Sequence, residues 1–114
     1  MAISPTQLSL KMMREQGYYA EVVERYNSFT RTRKDLLGFI DILCLRAGEV
    51  VGVQTTSNGH VSDRLKKILD HENFKIAADA GIKVIVHGWA KQNNRWKCRE
   101  VVVDPQNVEL SGEV

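Results

Sequence analysis

The sequence predicts one α/β (α+β) domain, in which a central mixed sheet is flanked by helices. Apolar periodicity gives the element order: a helix, three strands, a helix and two strands. The chain has 114 residues, which is enough for one ordinary core. Its hydrophobic fraction of 43% and its mixed charge are typical of a globular protein and exclude a disordered one. We therefore expect a single domain over residues 1–114, with a weakly patterned tail from about residue 106.

The first helix has a recognisable beginning and end. Ser4 is suited to the N-cap position and Pro5 to the first helical position. Leu8 and Met12 lie on one helical stripe, and Gly17 follows as a typical C-terminal glycine.

Two different segments follow the first helix. Residues 18–26 are rich in tyrosine and valine, which predicts a strand. Residues 27–34 are polar and basic, which predicts a loop carrying one aromatic residue, Phe29.

A central hairpin occupies residues 38–57. Its two apolar strands fold on a turn at Ala47-Gly48, so that Arg46 faces Glu49. This register places Asp41 opposite Gln54, and alternation places Thr56 on the same face as Gln54. Because an unpartnered buried polar group costs about 1–3 kcal/mol, Asp41 and Gln54 need a specific role.

The second half of the chain alternates helix and strand. A helical pattern runs over residues 61–80, with a predicted break at residues 71–73. Strands are predicted at residues 83–89 and 96–104, joined by a turn at 92–94. The long helical connection predicts a right-handed crossover, which would make the second hairpin strand parallel to the strand over residues 83–89.

Charge and cysteine content narrow the function classes. The net charge is only +2, so composition alone does not announce a nucleic-acid-binding protein. Basic residues nevertheless cluster in three places, each of which is either a solvated face or a phosphate-binding surface: Arg31, Arg33 and Lys34; Arg64, Lys66 and Lys67; and Lys91, Arg95, Lys97 and Arg99. Cys44 and Cys98 lack ligand-spaced partners, which predicts reduced core residues. No membrane-length apolar run or signal-peptide pattern is present, so we expect a cytoplasmic protein.

The strand order and two short motifs resemble the PD-(D/E)XK nuclease superfamily. The motifs are Gly38-Phe-Ile-Asp41 and Val53-Gln54-Thr55-Thr56, and the resemblance covers residues 12 to about 103. The chain is most similar to small members such as Holliday junction resolvases and VRR-NUC domains of phages, bacteria and archaea. The resemblance implies a restriction-endonuclease-like core and a metal-dependent endonuclease that acts in a bacterial, archaeal or phage-infected cell.

The resemblance also assigns roles to residues. Asp41 would be the central ligand of Mg²⁺ or Mn²⁺, with Gln54 offering a carbonyl oxygen where the superfamily usually has Glu. Glu24 would be the third metal ligand, with Glu15 and Glu21 as alternatives. Thr56 stands at the usual Lys position, so a basic residue from elsewhere would replace the lysine or the chain no longer cuts. The candidates for that replacement are Arg64, Lys67 and Lys34. Asp35 is either a second ligand or a loop residue salt-bridged to Arg33, and we favour a supporting role.

The implied partners are DNA and a second copy of the chain. Arg31, Arg33, Lys34 and Arg64 would bind phosphates. A homodimer would cut both strands, and the late hairpin over residues 83–104 is one candidate dimer surface. Two alternatives remain open: an inactive nucleic-acid-binding module of the same fold, and a protein-interaction subunit whose polar strand residues only hydrogen-bond in the core.

Overall fold

A computed structural model describes residues 3–104. In this part of the chain the helices and strands are, in chain order, α1 (Pro5–Glu15), β1 (Tyr19–Val22), β2 (Arg25–Asn27), β3 (Thr32–Lys34), β4 (Ile42–Arg46), β5 (Glu49–Ser57), α2 (Val61–Asp70), α3 (Glu72–Asp79), β6 (Ile82–Gln92) and β7 (Arg95–Val102). The predicted mixed α+β fold is confirmed. The weakly patterned tail that we expect from about residue 106 lies outside the described residues.

Five of the strands form one mixed sheet in the order β1-β4-β5-β6-β7. β5 and β6 are parallel and the other neighbouring pairs are antiparallel, which confirms the predicted crossover through the helical segment. The remaining two strands, β2 and β3, form a separate two-stranded sheet. This small hairpin leaves the main sheet after β1 and returns before β4.

The main sheet carries a hydrophobic core on each face, because alternate residues of its strands point to opposite sides. On one face, Leu10 and Met13 of α1 pack with Ile42 and Val53. On the other face, α2 and α3 contribute Val61, Leu65, Ile68 and Ala77 and pack against Ile40, Val84 and Val86. The site described below lies where the start of α1 meets the strand ends.

The ends of α1 follow the sequence prediction. The Ser4 hydroxyl accepts a hydrogen bond from the Gln7 N–H at 3.2 Å, and Pro5 opens the helix. Gly17 follows with a φ of +93°, a left-handed conformation that favours glycine.

The register of the central hairpin is confirmed. Arg46 pairs with Glu49 and Ile42 with Val53, and the regular pairing ends there, one residue before the predicted Asp41–Gln54 pair. The Asp41 N–H donates to the Val53 carbonyl at 2.8 Å, although Val53 is already the partner of Ile42. Two residues of one strand therefore meet one residue of the other, as in a β-bulge, which bends the strand at Asp41.

The prediction for the segment before this hairpin is wrong in two respects. Residues 18–26 are not one strand, since β1 ends at Val22 and β2 begins at Arg25. Residues 27–34 are not only a loop, because β3 pairs with β2 from Asn27–Thr32 to Arg25–Lys34. Every residue of β2 and β3 is exposed, so neither strand has the apolar alternation by which a half-buried strand is recognised.

The predicted break in the second helical segment is also confirmed. α2 ends at Asp70 and α3 begins at Glu72. The His71 side chain accepts a hydrogen bond from the Asn73 N–H at 3.0 Å and so caps α3.

In the described part of the chain, no helix is long and apolar enough to cross a membrane.

Candidate metal centre

Three carboxylates meet at one edge of the main sheet. One oxygen each of Glu24, Asp35 and Asp41 lies within 4.8 Å of the others. Asp41 directly precedes β4, Glu24 lies between β1 and β2, and Asp35 directly follows β3. The Val23 N–H donates to the Asp41 carbonyl at 2.8 Å, which brings the chain at Glu24 beside Asp41. β1 pairs with β4 as far as Val22–Ile42, but Glu24 lies beyond the end of β1 and not on a strand, so the predicted strand over residues 18–26 pairs with the Asp41 segment only in its first part.

Asp41 is buried and held by hydrogen bonds to one of its two carboxylate oxygens. Its Oδ2 accepts from Gln54 Nε2 at 2.9 Å and from the Thr55 N–H at 2.8 Å. The Thr55 hydroxyl donates to the same oxygen at 3.2 Å and also lies 3.0 Å from the Thr6 hydroxyl. These contacts fix the orientation of the carboxylate. None of them involves its second oxygen, Oδ1, which is therefore the better candidate ligand atom. Gln54 thus finds its polar partner in Asp41, whereas Asp41 is held by both Gln54 and Thr55.

Asp35 reaches the cluster through a tight turn. The Gly38 N–H donates to the Asp35 carbonyl at 2.9 Å, and the Leu36 and Ile40 backbones form a small antiparallel bridge. Leu37 and Gly38 have φ values of +59° and +93°, so the backbone reverses sharply. A Cβ on Gly38 would lie 2.5 Å from a ring nitrogen of His71, which leaves room for glycine only. The turn folds Asp35 back onto Asp41.

The electrostatics of the cluster are unfavourable without a cation. Burial, and then the negative charge of Asp41, raise the pKa of Asp35 from 3.8 to about 6. Burial and the Asp41 charge also raise the pKa of Glu24, whereas the Arg33 guanidinium lowers it. Groups that resist ionisation in this way gain most from a bound cation, and such groups are enriched at functional sites.

The three acids line a cleft of about 590 Å³. Two arginines from different elements, Arg33 of β3 and Arg64 of α2, share its wall. The polar start of α1 forms another wall, and the full lining is Ser4, Pro5, Thr6, Gln7, Val22, Glu24, Arg33, Asp35, Asp41, Gln54, Thr55 and Arg64. The cleft therefore places carboxylates and guanidinium groups together around a space of ligand size.

Four other predicted site residues do not line this cleft. Thr56 is buried on the α2 side of β5 and is not among the lining residues. Lys67 lines a second cleft of about 320 Å³, which shares Arg64 with the first. Lys34 lines a groove on the β2–β3 hairpin, and Arg31 is exposed at the tip of that hairpin. Of the replacements considered for the missing lysine, Arg64 is the one that borders the acids.

The donor set fits a hard divalent cation. Three carboxylates offer oxygen ligands only, which suit Mg²⁺, Mn²⁺ or Ca²⁺ better than softer metals. A separation of up to 4.8 Å is one that a single cation can span after small side-chain rotations. Gln54 contacts Asp41 through its amide nitrogen, whereas the predicted ligand role would use its amide oxygen.

The sequence leaves the role of Asp35 open and does not single out Thr55 or Thr6. The available signal for Asp35 is its place between Lys34 and Leu-Leu-Gly, because glycine marks the reversing turn.

A scan of protein-family models and a search of curated proteins found no match to this chain.

Proposed function

We propose that the protein is a metal-dependent DNA endonuclease that hydrolyses phosphodiester bonds with Mg²⁺ or Mn²⁺. Its substrate would be branched DNA of the kind that Holliday junction resolvases cut. The observation that carries the proposal is the group of three carboxylates within 4.8 Å of one another, in a cleft that also holds two arginines. Oxygen ligands beside guanidinium groups are what phosphoryl chemistry requires, since the ligands hold the cation and the guanidinium groups bind phosphate.

The acids and the residues that hydrogen-bond Asp41 have separate roles. Glu24, Asp35 and Asp41 would hold the cation, which when bound would polarise the phosphate and lower the pKa of an attacking water. Gln54 and Thr55 orient Asp41 through the hydrogen bonds to Oδ2.

Arg33 and Arg64 take over the charge that the superfamily assigns to lysine. Each guanidinium can hold a phosphate oxygen and neutralise the charge that develops on it during hydrolysis. Lys67 lies in the neighbouring cleft, where its charge favours binding of the flanking nucleic acid. Thr56 then supports the strand and does not take part in the chemistry.

A homodimer completes the proposal, because one such cleft cuts one strand of a duplex. The outer strand β7 and its partner β6 offer one dimer surface, where Trp96 is 39% exposed. The enzyme would act in the cytoplasm, where its DNA substrate is found.

The test is cleavage of end-labelled junction, duplex and single-stranded DNA in Mg²⁺ or Mn²⁺. Asp41→Asn keeps the shape of the side chain and removes its charge, so we expect cleavage to fall at least about a hundredfold. The matched control is Asp79→Asn, which removes an exposed acid on α3. Cleavage that survives Asp41→Asn at the wild-type rate would contradict the proposal.

A nucleic-acid-binding module that does not cut is the second candidate. The observation that favours it is Thr56, which is neutral and buried where the superfamily has lysine. This candidate predicts salt-sensitive DNA binding and no cleavage in any divalent metal. A protein-interaction subunit, the third class, predicts neither DNA binding nor metal uptake.

A further inference from the structure

The β2–β3 hairpin carries an aromatic ring at its tip and only positive charge along its length. Phe29 is 98% exposed, so nearly the whole ring is accessible to a partner. Between Arg25 and Lys34 the sequence contains no Asp or Glu, and its cationic residues are Arg25, Arg31, Arg33 and Lys34. A surface with this composition complements an anionic partner that also offers an apolar face.

The tip of the hairpin is built by specific hydrogen bonds. The Asn27 side-chain oxygen accepts from the Phe29 N–H at 2.9 Å and from the Thr30 N–H at 3.3 Å. The hydroxyls of Thr30 and Thr32 lie 2.6 Å apart. Arg31 closes the turn with a φ of +54°. These contacts hold the backbone under Phe29 in one conformation, so binding through this ring would cost little ordering entropy.

The hairpin is connected at both of its ends to residues of the candidate metal centre. Glu24 precedes β2, Asp35 follows β3, and the Arg25–Lys34 pair closes the base between them. From Glu24 to Phe29 the chain advances five residues, which span at most about 17 Å. Successive nucleotides of one strand rise about 3.4 Å along duplex DNA, so the ring lies within about five nucleotides of the acids.

The hairpin borders two cavities. Tyr26 pairs with Arg33, and Arg33 lines the cleft of the three acids. Arg25 and Lys34, together with Tyr26, line a separate groove of about 390 Å³. Phosphates in either cavity would therefore meet a cation.

We propose that the β2–β3 hairpin is a DNA-binding arm whose Phe29 ring stacks on an unpaired base while its arginines contact the adjacent phosphates. A two-stranded ribbon fits the major groove, and aromatic stacking accepts any base because every base has a π face. The arm thereby selects DNA with an unpaired base beside a duplex and sets the distance from that base to the cut. The choice of DNA as partner rests on the proposed function, but binding by the arm does not require cleavage.

The test measures binding in Ca²⁺ by fluorescence anisotropy, with an intact duplex and the same duplex carrying one unpaired 2-aminopurine. Phe29→Ala is expected to lower the affinity for the second DNA about 5- to 100-fold and to leave the affinity for the intact duplex unchanged. Stacking on Phe29 should also change 2-aminopurine fluorescence on wild-type binding, and Phe29→Ala should abolish that change. Phe29→Trp should preserve both effects.

Two further variants separate stacking from charge and from general surface effects. Arg31→Ala should weaken binding of both DNAs and reduce the slope of log affinity against log salt concentration by about 1. Tyr19→Ala removes another exposed aromatic side chain, 64% exposed at the start of β1, and should change nothing.

The outcomes distinguish this inference from the proposed function. If wild type and Phe29→Ala bind the DNA with the unpaired base equally well and give the same 2-aminopurine fluorescence, the proposal of a DNA-binding arm is overturned, even if the protein cuts DNA. Stacking on Phe29 without cleavage in Mg²⁺ or Mn²⁺ would support the arm and overturn the nuclease. A Phe29→Ala variant that binds DNA normally but loses self-association would assign the hairpin to a protein contact and also overturn the inference. Wild-type protein that binds neither DNA would overturn both proposals.

Discussion

Neutralising Asp35 should stabilise the metal-free protein and weaken its response to metal. Burial and the Asp41 charge raise the pKa of Asp35 from 3.8 to about 6, a difference equivalent to about 3 kcal/mol. Asp35 is only partly buried, so solvent screening reduces the usable amount to about 1–2 kcal/mol. Asp35→Asn should therefore raise the free energy of unfolding by that amount in EDTA at about pH 8. For a domain of this size the melting temperature should rise by about 5 °C or more.

The sign follows from proton linkage. Because the folded-state pKa of Asp35 lies above its unfolded value, the stability contributed by its proton is complete below about pH 4. That stability is lost as the pH rises through about 6. The gain from Asp35→Asn should accordingly shrink towards zero as the pH is lowered to about 4.

Divalent metal should make wild type more stable than Asp35→Asn, the reverse of their order in EDTA. A ligand present at a hundred times its dissociation constant stabilises the folded state by about 2.7 kcal/mol. Wild type should gain this in saturating Mn²⁺, whereas Asp35→Asn has lost one of three carboxylates and should gain much less. Thermal melts followed by circular dichroism, with and without Mn²⁺, measure both effects, and Asp79→Asn is the control. The reasoning is refuted if Asp35→Asn is no more stable than wild type in EDTA, or if Mn²⁺ stabilises both proteins equally.

Three other predictions concern different parts of the molecule. Burial lowers the pKa of His87, and the neighbouring Glu100 raises it by a smaller amount. The stability that comes from neutral His87 is therefore present above about pH 6.5 and is lost below it. Glu100→Gln removes the opposing charge, so it should enlarge the loss of stability that denaturant titration measures at about pH 5. Gly88→Ala should cost about 1–3 kcal/mol in the same titration, because its Cβ would overlap Val61 and lie 3.1 Å from the Asn58 Cα, whereas Gly59→Ala has open space and should be neutral. Arg64→Ala should lower the cleavage rate about a hundredfold with unchanged Mn²⁺ affinity, and Lys67→Ala should mainly raise the KM for DNA; equal kinetic effects would remove the distinction between the two clefts.

The core of the site was predictable because it depends on local rules. The Ala47-Gly48 turn and the two-residue period of strands are enough to place Asp41 beside Gln54, and the two side chains are hydrogen-bonded at 2.9 Å. Pairing of the first strand with the Asp41 segment then brings Glu24 to the same edge. Each step uses nearest-neighbour geometry that the sequence pattern encodes.

The rest of the site depends on geometry that the pattern does not encode. Asp35 joins the acids through two consecutive residues with positive φ, one of which is leucine, a residue that gives no turn signal. Arg33 reaches the cleft only because an exposed polar segment forms a hairpin. The bulge at Asp41 directs its carboxylate to Thr55 as well as Gln54, whereas regular alternation would favour Gln54 and Thr56. Such effects arise from tertiary contacts that periodicity does not report.

The most direct test of the claim that Glu24, Asp35 and Asp41 form a metal centre is a crystal soaked in Mn²⁺. The proposal predicts an anomalous-scattering peak in the cleft, about 2.1–2.3 Å from an oxygen of each of the three carboxylates. The same soak of Asp41→Asn crystals should give a much weaker peak or none. Strong Mn²⁺ binding elsewhere with an empty cleft, or a peak at the acids that is unchanged in Asp41→Asn, would contradict it.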